Sequence, residues 1–242
     1  MSGVLVGNAI EVEGLEKGFG EWPVLWGLDL TVGWGEFLAL LGANGVGKST
    51  LLRILSTQAR TDAGAVLVSG YDLRRRPQAV RRRVGVIGHQ TFLYDDLTCR
   101  ENLVYYGRLF GLKEPGRWAG EALSRLGLSQ RADQRVRTLS HGMQKRVAIA
   151  RAILHQPPVL LLDEPETGLD RGSVAVLKAL LDEWTASGRT VVMTTHNVEL
   201  GFSWSDRVGV LSRGRAHFCG SSEYPDAAGF RQMLAASLRS GR

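Results

Sequence analysis

The chain has 242 residues, a formal net charge of +6 and two cysteines, Cys99 and Cys219. That length suits one large α/β domain with an ample core, and no apolar run approaches the roughly 18 residues of a membrane-spanning helix. The N-terminus lacks the pattern of a secretory leader, and the cysteines show no metal-ligand spacing. A soluble, intracellular protein in a reducing compartment is therefore expected.

Short apolar runs at 9–12, 24–32, 37–41 and 65–68 read as strands. The third runs straight into Gly42-Ala43-Asn44-Gly45-Val46-Gly47-Lys48-Ser49-Thr50, after which Leu51, Leu52, Ile54 and Leu55 share one helical face. Strand, glycine-rich turn and helix start together match the pattern G-x-x-x-x-G-K-[ST] in its proper context. Backbone N–H groups and the positive end of a helix dipole converge there on a polyphosphate. Gly42, Gly45 and Gly47 allow close backbone approach. Lys48 would reach the β- and γ-phosphates, and the Ser49 hydroxyl would ligate Mg²⁺. This loop, Asn44 and Thr50 included, is expected to bind a nucleoside triphosphate.

Next come two arginine clusters, Arg74-Arg75-Arg76 and Arg81-Arg82-Arg83, with further arginines at 231, 239 and 242. They read either as a solvated helix face or as attraction to an anionic membrane or nucleic acid. Interleaved aromatics of a nucleic-acid groove are missing. A strand at 84–87 leads to Gln90, and the trio Phe92, Leu93 and Tyr94 follows as either a docking patch or local core. Helices are expected at 100–110 and 118–126, the second ended by Gly127. They belong to a helix-rich insertion at about 91–155, set between core segments at about 1–90 and 156–222. Ser140-His141-Gly142 opens another helix, a second anion-binding terminus in a chain with one phosphate loop.

The apolar strand at 159–163 ends in two carboxylates, Asp163 and Glu164, before Pro165. A buried parallel strand delivers its C-terminal residues to the ligand-binding edge of a sheet. Asp163 is thereby positioned to hold Mg²⁺, and Glu164 to act as the base that polarises an attacking water. A strand at 191–194 brings His196 to the same edge, as a γ-phosphate contact or a satisfied structural histidine. A last strand at 206–211 precedes a short tail at 223–242 with an amphipathic segment at 230–238, and no appended regulatory domain is expected.

In this order the motifs resemble those of the ATP-binding cassette (ABC) ATPases, over nearly all of the chain from Ile10 to Phe218. The resemblance implies an α/β P-loop NTPase fold in one domain of residues 1–242: a mixed, largely parallel sheet core, an antiparallel β part and a helical insertion. Leu139-Ser140-His141-Gly142-Met143 takes the place of the family's Leu-Ser-Gly-Gly-Gln signature. His141 and Met143 depart from it, while Ser140 and Gly142, the γ-phosphate donors, are kept. The resemblance makes Gln90 the sensor of Mg²⁺ and water, and His196 the switch histidine. Asp170, in Gly168-Leu169-Asp170, falls in the loop that crosses between subunits. Phe19 falls where an aromatic stacks on adenine, with Trp22 as competitor.

Two copies would pair head to tail, each ATP lying between Lys48 of one and Ser140 of the other, so a homodimer suffices. The implied partners are integral membrane permease subunits docking at 91–97; no nucleic acid is expected. The chain would then be cytoplasmic, peripheral on the inner face of the membrane. Within the family, Ile87-Gly88-His89-Gln90, the run 97–103, Ser140 to Arg146 and Pro165 to Asp170 resemble the ATP-binding subunit of the haem exporter of cytochrome c maturation. Exporters of drugs, lipids or polysaccharides share much of this pattern. A soluble, nucleic-acid-associated ABC ATPase is the alternative of another class.

Overall fold

The computed structural model describes residues 7–220. The segment expected at 230–238 lies outside the described residues. The chain begins with a hairpin of β1 (Ile10–Phe19) and β2 (Trp22–Val32), then β3 (Phe37–Leu41), α1 (Lys48–Leu55), β4 (Ala63–Val68) and β5 (Tyr71–Asp72). After α2 (Pro77–Arg81) and β6 (Val84–Ile87) come α3 (Cys99–Leu109), α4 (Pro115–Arg125) and α5 (His141–Ile153). The order then runs β7 (Val159–Asp163), α6 (Arg171–Ala186), β8 (Thr190–Thr194), α7 (Val198–Trp204), β9 (Arg207–Ser212) and β10 (Arg215–Gly220).

Among the described residues the strands form two sheets. An antiparallel sheet has the order β2-β1-β4-β5, and a larger one the order β10-β9-β3-β8-β7-β6. The larger sheet is parallel from β9 to β6, with β10 antiparallel at its edge.

β3, β7 and β8 are buried at every position. That is why they read as unbroken apolar runs: a parallel strand covered on both faces has no polar side. Their period of two divides one sheet between two cores. Ala39, Leu160, Leu162, Val191 and Met193 pack with Leu103 of α3, Leu123 of α4, Ile149 of α5 and Leu181 of α6. Leu38, Leu40, Leu161 and Val192 pack on the other side with Leu51 and Ile54 of α1 and with Ile10, Leu28 and Leu30 of the antiparallel sheet. α1 is thus clamped between the two sheets, which fixes the loop that precedes it. Truncating Leu161 to Ala would open a cavity there at a cost of about 2–5 kcal/mol.

Several elements differ from expectation. β1 continues to Phe19 because register shifts after Val12 and Leu15 break the alternation without ending the pairing. α4 starts at Pro115, where the missing N–H of proline costs nothing. α3 begins with a capping box: Thr98 accepts from the Glu101 N–H at 3.1 Å, and Glu101 accepts from the Thr98 N–H at 2.8 Å. β5, α6 and β10 were not anticipated. Among the described residues no helix is long and apolar enough to cross a membrane.

Candidate active site

The C-terminal ends of β3, β8, β7 and β6 share one edge of the parallel sheet. The loop after β3 turns into α1 at Gly47, the N-cap, with φ 109°. A Cβ there would stand 2.9 Å from Leu25 and 3.2 Å from the Val24 carbonyl, so both backbone conformation and space require glycine. Lys48 follows, and its Nζ donates to the carbonyls of Gly42 at 2.8 Å and Ala43 at 3.0 Å. Burial pushes its ammonium below the usual lysine range, against the opposing pull of the Glu164 and Asp163 charges. Ser49 and Thr50 stand half-buried in the same first turn.

β7 and β8 pair with Asp163 opposite Thr194. The Thr194 hydroxyl donates to Asp163 Oδ1 at 2.6 Å, and Asp163 Oδ2 lies 3.5 Å from His89 Nε2. Glu164 leaves the strand in the left-handed region, with φ 46°. Its N–H is shared between the Thr194 carbonyl at 3.1 Å and hydroxyl at 3.3 Å. Such strain at a residue other than glycine concentrates at functional positions. The Glu164 carboxylate is 3.4 Å from His196 Nδ1. Lys145, reaching from α5, donates to the Glu164 carbonyl at 3.1 Å. Burial lowers this second ammonium too, against the carboxylates of Glu166, Asp163 and Glu164.

Two cavities adjoin the loop. One of about 420 Å³ is bordered by Gly42, Asn44, Val46, Glu164 and His196. The other, of about 390 Å³, brings Ser49, His89, Gln90 and Asp163 together. Phe19 borders neither cavity. It sits at the tip of the β1–β2 hairpin opposite Trp22, 54% exposed against 79% for Trp22, with Lys17 Nζ 5.3 Å from its ring.

Ser140 and Gly142 also border neither cavity. Ser140 caps α5, its oxygen accepting the Met143 N–H at 3.4 Å. Gly142 packs closely on the loop after β7, where an added Cβ would stand 3.2 Å from the Gly168 carbonyl. Of the two departures in the signature, Met143 is half-buried against the core and His141 is exposed. Asp170 caps α6 by accepting the Ser173 N–H at 2.7 Å, a bond that holds its carboxyl below the usual range.

The segment after Gln90 is two exposed aromatics rather than a trio. Phe92 and Tyr94 are exposed, whereas Leu93 packs against the core. The buried Asn102 accepts the Tyr94 N–H at 2.8 Å and donates back to the Tyr94 carbonyl at 3.0 Å. Tyr106 donates its hydroxyl to the Phe92 carbonyl. Arg151 lies 5.5 Å from the Phe92 ring and donates to the Val86 carbonyl at 2.9 Å. Sequence reasoning missed Thr194, Lys145, Asn102 and Arg151. None of them leaves a local mark, because the partners Asp163, Glu164, Tyr94 and Val86 are met only in the fold.

Comparison with known proteins places this geometry. The family described as ABC transporter matches residues 25–167. The daunorubicin resistance ATP-binding protein DrrA3 of Streptomyces coeruleorubidus is 40% identical over 210 residues, covering 86% of this chain and 66% of the relative. The Nod factor export ATP-binding protein I of Rhizobium sp. is 39% identical over 211 residues, covering 86% of this chain and 69% of that protein. The chain thus spans about two thirds of the length of these curated relatives. A solved dimer of the ATP-binding cassette MJ0796, in a post-hydrolysis state with ADP and Pi, superposes with a TM-score of 0.81. It is 28% identical and covers 87% of this chain and 98% of its own. With its phosphate loop, its mixed parallel and antiparallel sheets and this matched segment, the chain belongs to the ABC transporter family and carries the fold of that family's ATP-binding subunits.

Proposed function

We propose that the chain is the ATP-binding and ATP-hydrolysing subunit of a membrane exporter, and that it works as a head-to-tail homodimer. What carries this is the separation of its two anion-binding termini. Lys48, Glu164 and His196 converge at one sheet edge, while Ser140 and Gly142 open α5 and border neither cavity there. A second copy, offering its Ser140 and Gly142, completes each site. The capture of the similar MJ0796 cassette as a dimer with ADP and Pi supports such pairing.

In this reading Lys48 and the N–H groups of the loop from Gly42 to Thr50 hold the β- and γ-phosphates, and Phe19 stacks on the base. Glu164 accepts the proton of the attacking water. His196, beside Glu164, steadies that carboxylate and contacts the γ-phosphate, and Gln90 orients the water from the other side. Asp170 contributes at the subunit boundary from the first turn of α6. Ser49, Asp163 and Gln90 offer oxygen donors only, the set that Mg²⁺ prefers, with phosphates and water completing its shell. The Thr194 bond keeps Asp163 turned toward that cavity. Bound there, Mg²⁺ would neutralise phosphate charge.

Phe92 and Tyr94, next to Gln90, are the docking patch for a permease, which would hold the chain at the cytoplasmic face of a membrane. Relatives named for daunorubicin resistance and Nod factor export favour an exporter of drug, lipid or polysaccharide type. The haem reading finds no support in those relatives, and His89 stands beside Asp163 at the nucleotide edge. The partner is a membrane protein rather than a nucleic acid.

Glu164→Gln tests the chemistry. ATP should still bind and should trap the dimer, while turnover falls by about 10² to 10⁴. Near-normal turnover would remove Glu164 from the mechanism.

A further inference from the structure

The two arginine clusters have no part in the site above. The fold takes one residue from each, Arg74 and Arg81, and sets them with Arg60 around a cavity of about 480 Å³ beyond the C-terminal end of α1. Thr57, Ala59, Thr61, Leu73 and Pro77 form its other walls, and among the described residues no carboxylate lines it. Arg74 Nε donates to Thr61 Oγ1 at 2.9 Å, and Arg81 donates to Thr57 Oγ1 at 3.2 Å. Each threonine orients a guanidinium while occupying one of its five N–H donors.

The nearby acids are hydrogen-bonded to other partners, although both also feel the Arg74 charge. Asp62 binds Lys17 at 2.7 Å and the Gly18 N–H at 2.8 Å, and Asp72 accepts the backbone N–H groups of Arg74 and Arg75. Residues 57–83 hold seven arginines against two aspartates, nearly all of the chain's net positive charge. Arg60, Arg74 and Arg81 are exposed at the cavity, and Asp62 and Asp72 balance part of the Arg74 charge from outside it, so an anion entering the cavity meets a net positive lining. The planar guanidinium fork matches phosphate oxygens in pairs.

We propose that Arg60, Arg74 and Arg81 form a second anion site, separate from the phosphate loop, that takes a phosphate group with two or more negative charges. It adjoins the Gln90 cavity, whose rim includes Phe92 of the proposed docking patch: Ser56 and Gln58 line that cavity, while Thr57 and Ala59 line this one. A phosphomonoester lipid headgroup at the membrane face and a free phosphate offer the same chemistry.

The test uses the whole chain with its phosphate loop saturated by ADP. Inorganic pyrophosphate is titrated calorimetrically. In a second arm, the protein is sedimented with phosphatidylcholine vesicles, with and without about one fifth phosphatidic acid. Arg74→Gln with Arg81→Gln should weaken binding by roughly tenfold or more. Arg108→Gln with Lys113→Gln, an equal charge change on exposed residues at the end of α3, should leave it unchanged. Pyrophosphate binding lost in the first variant identifies a free phosphate; loss in the vesicle arm alone identifies a headgroup. Circular dichroism and ADP affinity report folding, and the exposed single variant Arg60→Gln serves if the double variant unfolds. The proposal is overturned if the wild type binds neither probe, if both double variants weaken binding alike, or if removing the cavity arginines changes nothing.

Discussion

Thr194 joins two strands by donating its hydroxyl to Asp163, 2.6 Å away, at positions paired across β7 and β8. The same oxygen receives the Glu164 N–H at 3.3 Å, so one side chain fixes both residues of the carboxylate pair. Thr194→Val keeps the shape and removes both bonds, leaving a buried carboxylate oxygen unsatisfied. A stability loss of about 1–3 kcal/mol is expected in denaturant titrations, with a higher Mg²⁺ requirement for ATP turnover. Thr194→Ser should restore most of both. A valine variant with wild-type stability and Mg²⁺ dependence would show that the bond does not organise the site.

His155 predicts an acid-sensitive fold. It stacks on Phe110 with ring centroids 3.7 Å apart and planes 9° from parallel. Burial pushes the imidazole from its ordinary 6.5 down to about 4; the Val84 backbone favours its protonated form only weakly, and the Arg151 charge opposes it. Between those values the unfolded chain holds a proton that the folded chain does not. Stability is therefore full above pH 6.5 and falls as the pH drops toward 4. The shift corresponds to about 3 kcal/mol. Denaturation midpoints at neutral and mildly acidic pH should separate further for the wild type than for His155→Phe. Equal separations would mean that His155 does not titrate in this way.

The docking patch is tested by Phe92→Ser combined with Tyr94→Ser, leaving the half-buried Leu93 in place. Both side chains are exposed, so fold and ATP affinity should persist. Membrane association and co-purification with a permease should be lost, since apolar anchors at interfaces contribute about 2 kcal/mol or more each. A folded double variant that still co-purifies would contradict the assignment, and an unfolded one would assign these rings to the insertion's own packing.

What was legible in the sequence follows from which interactions are local. β3, β7 and the loop between β3 and α1 could be read because a strand buried on both faces, and a turn built of glycines, each leave a contiguous mark. Thr194 could not: a threonine in a strand is unremarkable until register sets it opposite Asp163. Arg60 stands alone in sequence and acquires neighbours only when the segment after α1 meets α2 and the turn before it around one cavity. Within 92–94 no period distinguishes inside from outside, because Phe92 turns the chain through φ 52°. Asp170 drew attention as a nucleotide residue, while its visible local role is to cap a helix that was not foreseen.

The central claim is that each nucleotide site is built from two copies of the chain. Lys48→Ala empties the phosphate loop of its cation, and Ser140→Arg blocks the mouth of α5; each variant alone should fail to hydrolyse ATP. Mixed under conditions where subunits exchange, they should regain activity, because each heterodimer pairs one intact Lys48 loop with one intact Ser140 helix. Random pairing should put such a heterodimer in about half of all dimers, so recovery near one quarter of wild-type turnover is the expected scale. No recovery in a mixture whose chains demonstrably exchange would contradict the composite site.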